Sequence, residues 1–140
     1  MSASSNYTED RTLDFWLKAN SQTTSAPTTV YAALFNSDPS TGSTSENLEA
    51  GTITDECTGG AYARQSASFG TISNGSVSTS ADITFPAATD ANWGTITHVA
   101  VMDAASGGNV LFYGTLSASK TIDSGDTFQI TSGNLSVSLA

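Results

Sequence analysis

The sequence predicts an all-β domain, a β-sandwich of jelly-roll-like or Ig-like kind with about seven or eight short strands and one short N-terminal helix. Three observations carry this expectation. From Ala61 onward, apolar and polar residues alternate in short runs broken by Gly, Asn and Asp, the pattern of half-buried strands joined by turns. One stretch, residues 8–20, has the spacing of three and four that builds a helix face. Polarity comes from Ser, Thr, Gly and Asn, because only 12% of the residues are charged, about half the usual share.

In "YTEDRTLDFWLKAN", Thr8 can cap a helix, Glu9 and Asp10 sit where the dipole favours carboxylates, and Lys18 falls near the other end. Leu13, Trp16 and Leu17 share a face, and Asn20 can end the helix in a left-handed conformation. A helix this short is marginal alone, so its apolar stripe must pack on something. Two placements satisfy that need. Either the stripe lies over the domain's own sheet, or Tyr7 and Phe15 form a further apolar face that, with Trp16, meets a neighbouring subunit.

"TVYAALFN" reads as the first strand, with few polar side chains on either face, and should be central. Residues 37–60 form a long arm holding five of the acidic residues, with only Leu48 and Ile53 as sizeable apolar anchors. A loop of that length in a small domain is usually functional or mobile. Its carboxylates do not follow the order of a calcium loop. Next, "AYARQSASF" leads through the hairpin dipeptide Asn74-Gly75 into "SVSTSADITFP". There Val77, Thr79, Ala81, Ile83 and Phe85 form the dry face. "WGTITHVAVMD" and "NVLFYGTLS" are joined by "AASGG", a short strand lies near Ile122, and "DTFQITS" and "LSVSLA" turn around Gly133 and Asn134.

At 140 residues the chain is expected to be a single domain, 1–140, long enough to bury a core without disulfides. Four basic residues against 13 acidic ones give a net charge of -9, which opposes binding to nucleic acid through its phosphates. The sequence has no apolar run of about 18 residues, and "MSASSNYTED" lacks the basic and apolar regions of a signal peptide. A soluble protein made in the cytoplasm, with no membrane partner, is therefore expected. The single cysteine, Cys57, excludes an internal disulfide and a cysteine-rich zinc site. Beside Asp55 and Glu56 its thiolate is disfavoured, which argues against a nucleophile.

His98 is the one histidine, set in a strand that is apolar on both faces. By strand parity it shares a face with Ile96, Ala100 and Met102, where a neutral ring donating to a carbonyl is the simplest role. A multi-histidine metal site cannot be made from one histidine. No G-x-S-x-G marks a nucleophile, and "SGGN" and "TGGA" lack the helix and lysine of a phosphate loop. Asp82, Asp90 and Asp103 lie nearest the strand ends and are the carboxylates a glycan-cleaving pair would draw on. Arg64 in "AYARQS" suits a two-pronged contact to a carboxylate or to loop carbonyls, from the acidic arm or from Asp82, or else a partly exposed pair. Tyr62, like Trp93, fits either the core rim or an interface, so Tyr62 and Arg64 join Tyr7, Phe15 and Trp16 as candidate protein-interface residues. No catalytic residue, cofactor or metal ligand is expected.

The segments "TVYAALFNSDPS", "GGAYARQSASFG", "ADITFPAATDANWGTITHVAVMDAASGGNVLFYGTL" and "KTIDSGDTF" together resemble a family of small virion proteins of tailed double-stranded DNA bacteriophages, labelled tail-fibre-like or structural. The resemblance runs from the helix to the last strand and implies an all-β, non-enzymatic virion component. The stretch "ENLEAGTITDECTGG" is longer and more acidic than that family's pattern. A shaft would show heptads or a short repeat, and neither is present. The favoured expectation is a capsid decoration or cement protein bound to the major capsid protein, to copies of itself, or to both. The alternatives are a tail, tail-tip or fibre-like adhesion component bound to other tail proteins, and a carbohydrate-binding or glycan-cleaving domain. A particle component of this kind is made in the host cytoplasm and resides in the virion.

Overall fold

The computed structural model describes residues 2–18, 25–40, 53 and 55–139. The elements in order are β1 (Ser2–Ser4), α1 (Asn6–Leu17), β2 (Val30–Phe35), β3 (Gln65–Ala67), β4 (Ser76–Ser78), β5 (Ile83–Thr84), a 3-10 turn (Ala91–Trp93), β6 (Gly94–Met102), β7 (Val110–Ile122), β8 (Gln129–Ile130) and β9 (Ser136–Ser138). All the strand pairs are antiparallel. One five-stranded sheet runs β1-β7-β6-β2-β3, and two ribbons, β4-β9 and β5-β8, make the second layer.

The main core lies between these layers. Ala32, Leu34, Ile96, Val99 and Val101 of the large sheet meet Ile83, Phe85, Ile130, Leu135 and Val137 from the ribbon side. The domain is thus an all-β sandwich with one N-terminal helix, as its alternating pattern predicts. A smaller cluster of Ala33, Phe35, Ala100, Met102 and Val110 occupies the other face of the large sheet. Residues 32–35 of β2 are all fully buried, alternating between the two clusters. This is why the strand carries no polar side chain there, and why it lies inside the sheet.

Several boundaries differ from expectation. "SVSTSADITFP" is not one strand: β4 and β5 belong to different ribbons, and the chain bends between them, leaving Ala81 exposed. The strand expected near Ile122 is the end of the long β7. The Asn74-Gly75 hairpin holds: both residues have positive φ, 50° and 73°, and Ser73 and Ser76 exchange backbone bonds. In the β6–β7 pairing, Ile96 faces Lys120 but His98 faces Thr115, so a bulge intervenes. It puts Ile96 in the main core with Val99 and Val101, and separates it from Ala100 and Met102, whose face simple parity gave it. Of the acidic arm, Ile53 packs on the smaller cluster, whereas Leu48 lies outside the described residues. The arm returns along β2, with Asn36 N–H donating to Asp55 and Cys57 N–H to Leu34. Among the described residues no helix is long and apolar enough to cross a membrane.

Candidate functional site

The helix is capped by Ser5, not Thr8, and runs to Leu17 with Lys18 as its C-cap; the expected Asn20 lies outside the described residues. Ser5 has extended backbone and its Oγ accepts from Thr8 N–H at 3.2 Å. Ser5 is itself buried: its N–H donates to Leu111 O at 3.0 Å and its hydroxyl donates to Val110 O. The Thr8 hydroxyl donates to the same Leu111 carbonyl at 2.8 Å. The "SASS" run before the acidic turn was the available signal, since a serine at 5 caps that turn as well as a threonine at 8 does.

These polar bonds hold α1 against the start of β7 with its apolar residues turned outward. Leu13, Phe15, Trp16 and Leu17 are 56%, 54%, 74% and 75% exposed, and no residue of the helix is buried. The half-buried positions are Tyr7, Thr8, Arg11 and Asp14, the spacing of one helix face. The expected packing of Leu13, Trp16 and Leu17 on the domain's own sheet is therefore corrected: the helix is inverted, polar side in. The physical reason is that Ser5 and Thr8 satisfy β7 carbonyls, which fixes the rotation of the helix. Phe15 and Trp16 meet edge to face at 5.2 Å, and Arg11 lies 5.1 Å over the Tyr7 ring. A cleft of about 600 Å³ runs alongside, lined by Tyr7, Arg11, Phe15, Trp16, Pro27 and Leu111 among others.

Tyr62 and Arg64 do not join this surface. The Arg64 side chain is 3% exposed and grips Glu56 from the acidic arm with two prongs, Nε to Oε1 and Nη2 to Oε2, both 2.7 Å. Its remaining Nη1 donates to the carbonyls of Ala104 and Gly107 at 2.8 and 2.7 Å, in the β6–β7 turn. The partner is thus the arm and not Asp82, and the interface role expected for Arg64 gives way to an internal clamp. Tyr62 completes it, accepting from Leu34 N–H and donating to Glu56 Oε1, both at 3.0 Å. Its ring stacks parallel to Phe85 and meets Trp93 edge on. Burial, then the nearby Glu56 charge, pushes the phenol far above its ordinary range, so it remains a donor.

His98 is half-buried, and its ring nitrogens meet hydroxyls, not the expected backbone carbonyl: Thr97 at 2.9 Å on Nδ1 and Thr115 at 3.1 Å on Nε2. Asp38 stands 4.0 Å from Nε2. Hydroxyls thus meet both ring nitrogens, and the carboxylate stands beyond hydrogen-bond distance of Nε2. Burial acts to raise the Asp38 pKa, but the Ser40 hydroxyl and N–H, with His98, outweigh it and bring it below the ordinary value. Asp82, Asp90 and Asp103 each cap a turn, accepting from the N–H of Ser132, of Gly60 and Asn92, and of Asn109 respectively. Among the described residues no group of three or more His, Cys, Asp or Glu could hold a metal ion. Cys57 is buried, and burial, with nearby carboxylates, raises its thiol pKa despite a Gly59 backbone bond.

A search of curated proteins finds no match to the chain. A family model does match, and it spans α1, both layers of the sandwich and the clamp. Residues 3–138 fit the family described as Podophage GP4 fiber I protein gp80, so the chain belongs to that family of phage virion structural proteins.

Proposed function

We propose that the chain is a structural subunit of the fibre apparatus of a phage particle, held to its neighbours through the outward face of α1, and that it performs no catalysis. One observation carries the docking surface: a helix anchored by polar bonds presents four large apolar side chains to solvent. Ordinary surface helices turn that face inward, and a contiguous apolar patch of this kind marks an interaction site. The family description supports the fibre over the shell. Decoration of the capsid, favoured from sequence, rested on a compact sandwich, an arm and a spare aromatic face, and a fibre subunit uses all three equally well.

The test is location and copy number in purified virions. Antibody against the chain should label fibres, at a few to a few dozen copies per particle on the symmetry of tail and neck appendages. Even labelling of the shell, with hundreds of copies, would replace this reading with decoration.

A further inference from the structure

Beyond Phe112–Gly114, where β1 pairs with it, the outer edge of β7 has no strand beside it among the described residues. In the other layer β8 and β9 each pair with a single strand. Residues directly opposite in an antiparallel pair share a face of the sheet, so the partners in β6 place those of β7. Phe112, opposite Val101, and Gly114, opposite Val99, belong to the inner face, and Gly114 leaves a gap there because it has no side chain. Leu116 packs on the main core, and Lys120, opposite the fully buried Ile96, stands on the inner face too. Between the layers runs a cleft of about 560 Å³, lined by Phe112, Leu116, Lys120, Gln129, Asn134 and Ser136 among others. Its volume is that of a small-ligand site.

An added strand suits this cleft poorly. Residues 116–119 of β7 stand against Thr97 alone, and such a bulge, with a charge on the inner face of an edge strand, opposes further pairing. The lining suits a small polar ligand instead. Gln129 Nε2 donates to Thr84 Oγ1 at 2.9 Å and Asn134 Nδ2 donates to Thr131 Oγ1, so both amides are held and their oxygens remain as acceptors for hydroxyl groups. Phe112 and Leu116 offer an apolar wall to the C–H face of a ring. Lys120 has no carboxylate within ion-pair distance among the described residues, although the chain carries 13 Asp and Glu. An ammonium without a counter-charge, beside held acceptors, selects a ligand that has both hydroxyl groups and an anion. We infer that the cleft binds a sugar bearing a carboxylate, with the carboxylate on Lys120, hydroxyl groups on the Gln129 and Asn134 oxygens, and a C–H face against Leu116.

Binding is a property of the purified chain and goes beyond the fibre reading. One cation in the field of a chain with net charge -9 makes it weak, with Kd near about a millimolar. Amide NMR spectra of the full chain, titrated to tens of millimolar with trigalacturonate, trimannuronate and sialyllactose, read it. At least one of these should shift residues 112–120 and 128–137 while leaving α1 unmoved, and its uncharged methyl ester should bind about fivefold or more weakly. Lys120→Gln should weaken the acid by a similar factor and leave the ester unchanged, with the native spectrum showing that the fold is kept. Gly114→Val, which fills the gap over Val99, and Asn134→Ala should each weaken both forms. No shift at these residues with any of the three sugars, equal binding of acid and ester, or a Lys120→Gln chain that binds as well as the native one would each overturn the inference. A chain that binds none of them yet labels fibres would sink the cleft and spare the fibre reading, whereas binding by a protein found on the shell would do the reverse.

Discussion

Replacing Arg64 with alanine tests the internal clamp most directly. The guanidinium makes four hydrogen bonds of 2.7 to 2.8 Å, two to Glu56 and two to carbonyls of the β6–β7 turn. Its removal leaves Glu56, 17% exposed at the side chain, with the Tyr62 hydroxyl as its remaining contact in the clamp, and strips a donor from Ala104 and Gly107. Breaking a buried pair from one side costs about 3–5 kcal/mol, and the partial exposure of Glu56 favours the lower end. A domain stability of about 5–15 kcal/mol makes that a large fraction of the total. In urea, with a slope of about 1–3 kcal/mol per molar, the midpoint should fall by about 1 M or more. Glu56→Gln should cost a comparable amount, because it leaves Arg64 buried without its counter-charge. The double variant Arg64→Met with Glu56→Gln should recover part of the loss, since the two residues act as one unit. A loss under about 1 kcal/mol for Arg64→Ala would mean that the pair is screened like a surface contact, and the clamp would not be what ties the arm to the turn.

Gly59→Ala should be among the most damaging single changes, because its Cβ would lie 2.1 Å from Trp93 Cδ1 and 2.5 Å from Trp93 N, beside a fully buried indole. Thermal unfolding should show a loss of at least about 3 kcal/mol, or no soluble protein at all, and a near-native midpoint would refute the packing. Asp38 and Asp90 should contribute to acid sensitivity. Both carboxyl groups have pKa values below the ordinary 3.8 when folded, Asp90 through the N–H groups of Gly60 and Asn92, so their stabilising effect is present above that value and is lost as the pH falls through the folded one. Asp38→Asn and Asp90→Asn should therefore flatten the stability-against-pH curve on the acid side of about 4, and an unchanged slope would sink the assignment. The Cys57 thiol should react with a disulfide reagent only after unfolding, because it is 2% exposed and its thiolate is disfavoured by burial. Rapid labelling of the folded protein would contradict that.

Sequence alone determined the architecture and much of its vocabulary. Period-two alternation gives the same answer whichever strand a residue pairs with, so the sandwich, the central place of residues 30–35 and the hairpin at Asn74-Gly75 were all legible. That Arg64 could make a two-pronged contact was legible too, since a guanidinium among strands needs a carboxylate, but the choice of the acidic arm over Asp82 was made by the fold. What tertiary structure decided were matters of rotation and register. Spacing places Leu13, Trp16 and Leu17 on one face of a helix, but whether that face turns in or out depends on Ser5 and Thr8 bonding to carbonyls about a hundred residues away along the chain. In the same way, the bulge between Ile96 and His98 sends the two residues to surroundings that parity alone could not assign. It leaves the imidazole among threonine hydroxyls and a carboxylate. Local pattern fixes which residues share a face; long-range hydrogen bonds fix where that face points, and in this protein they turn the apolar side chains of α1 outward.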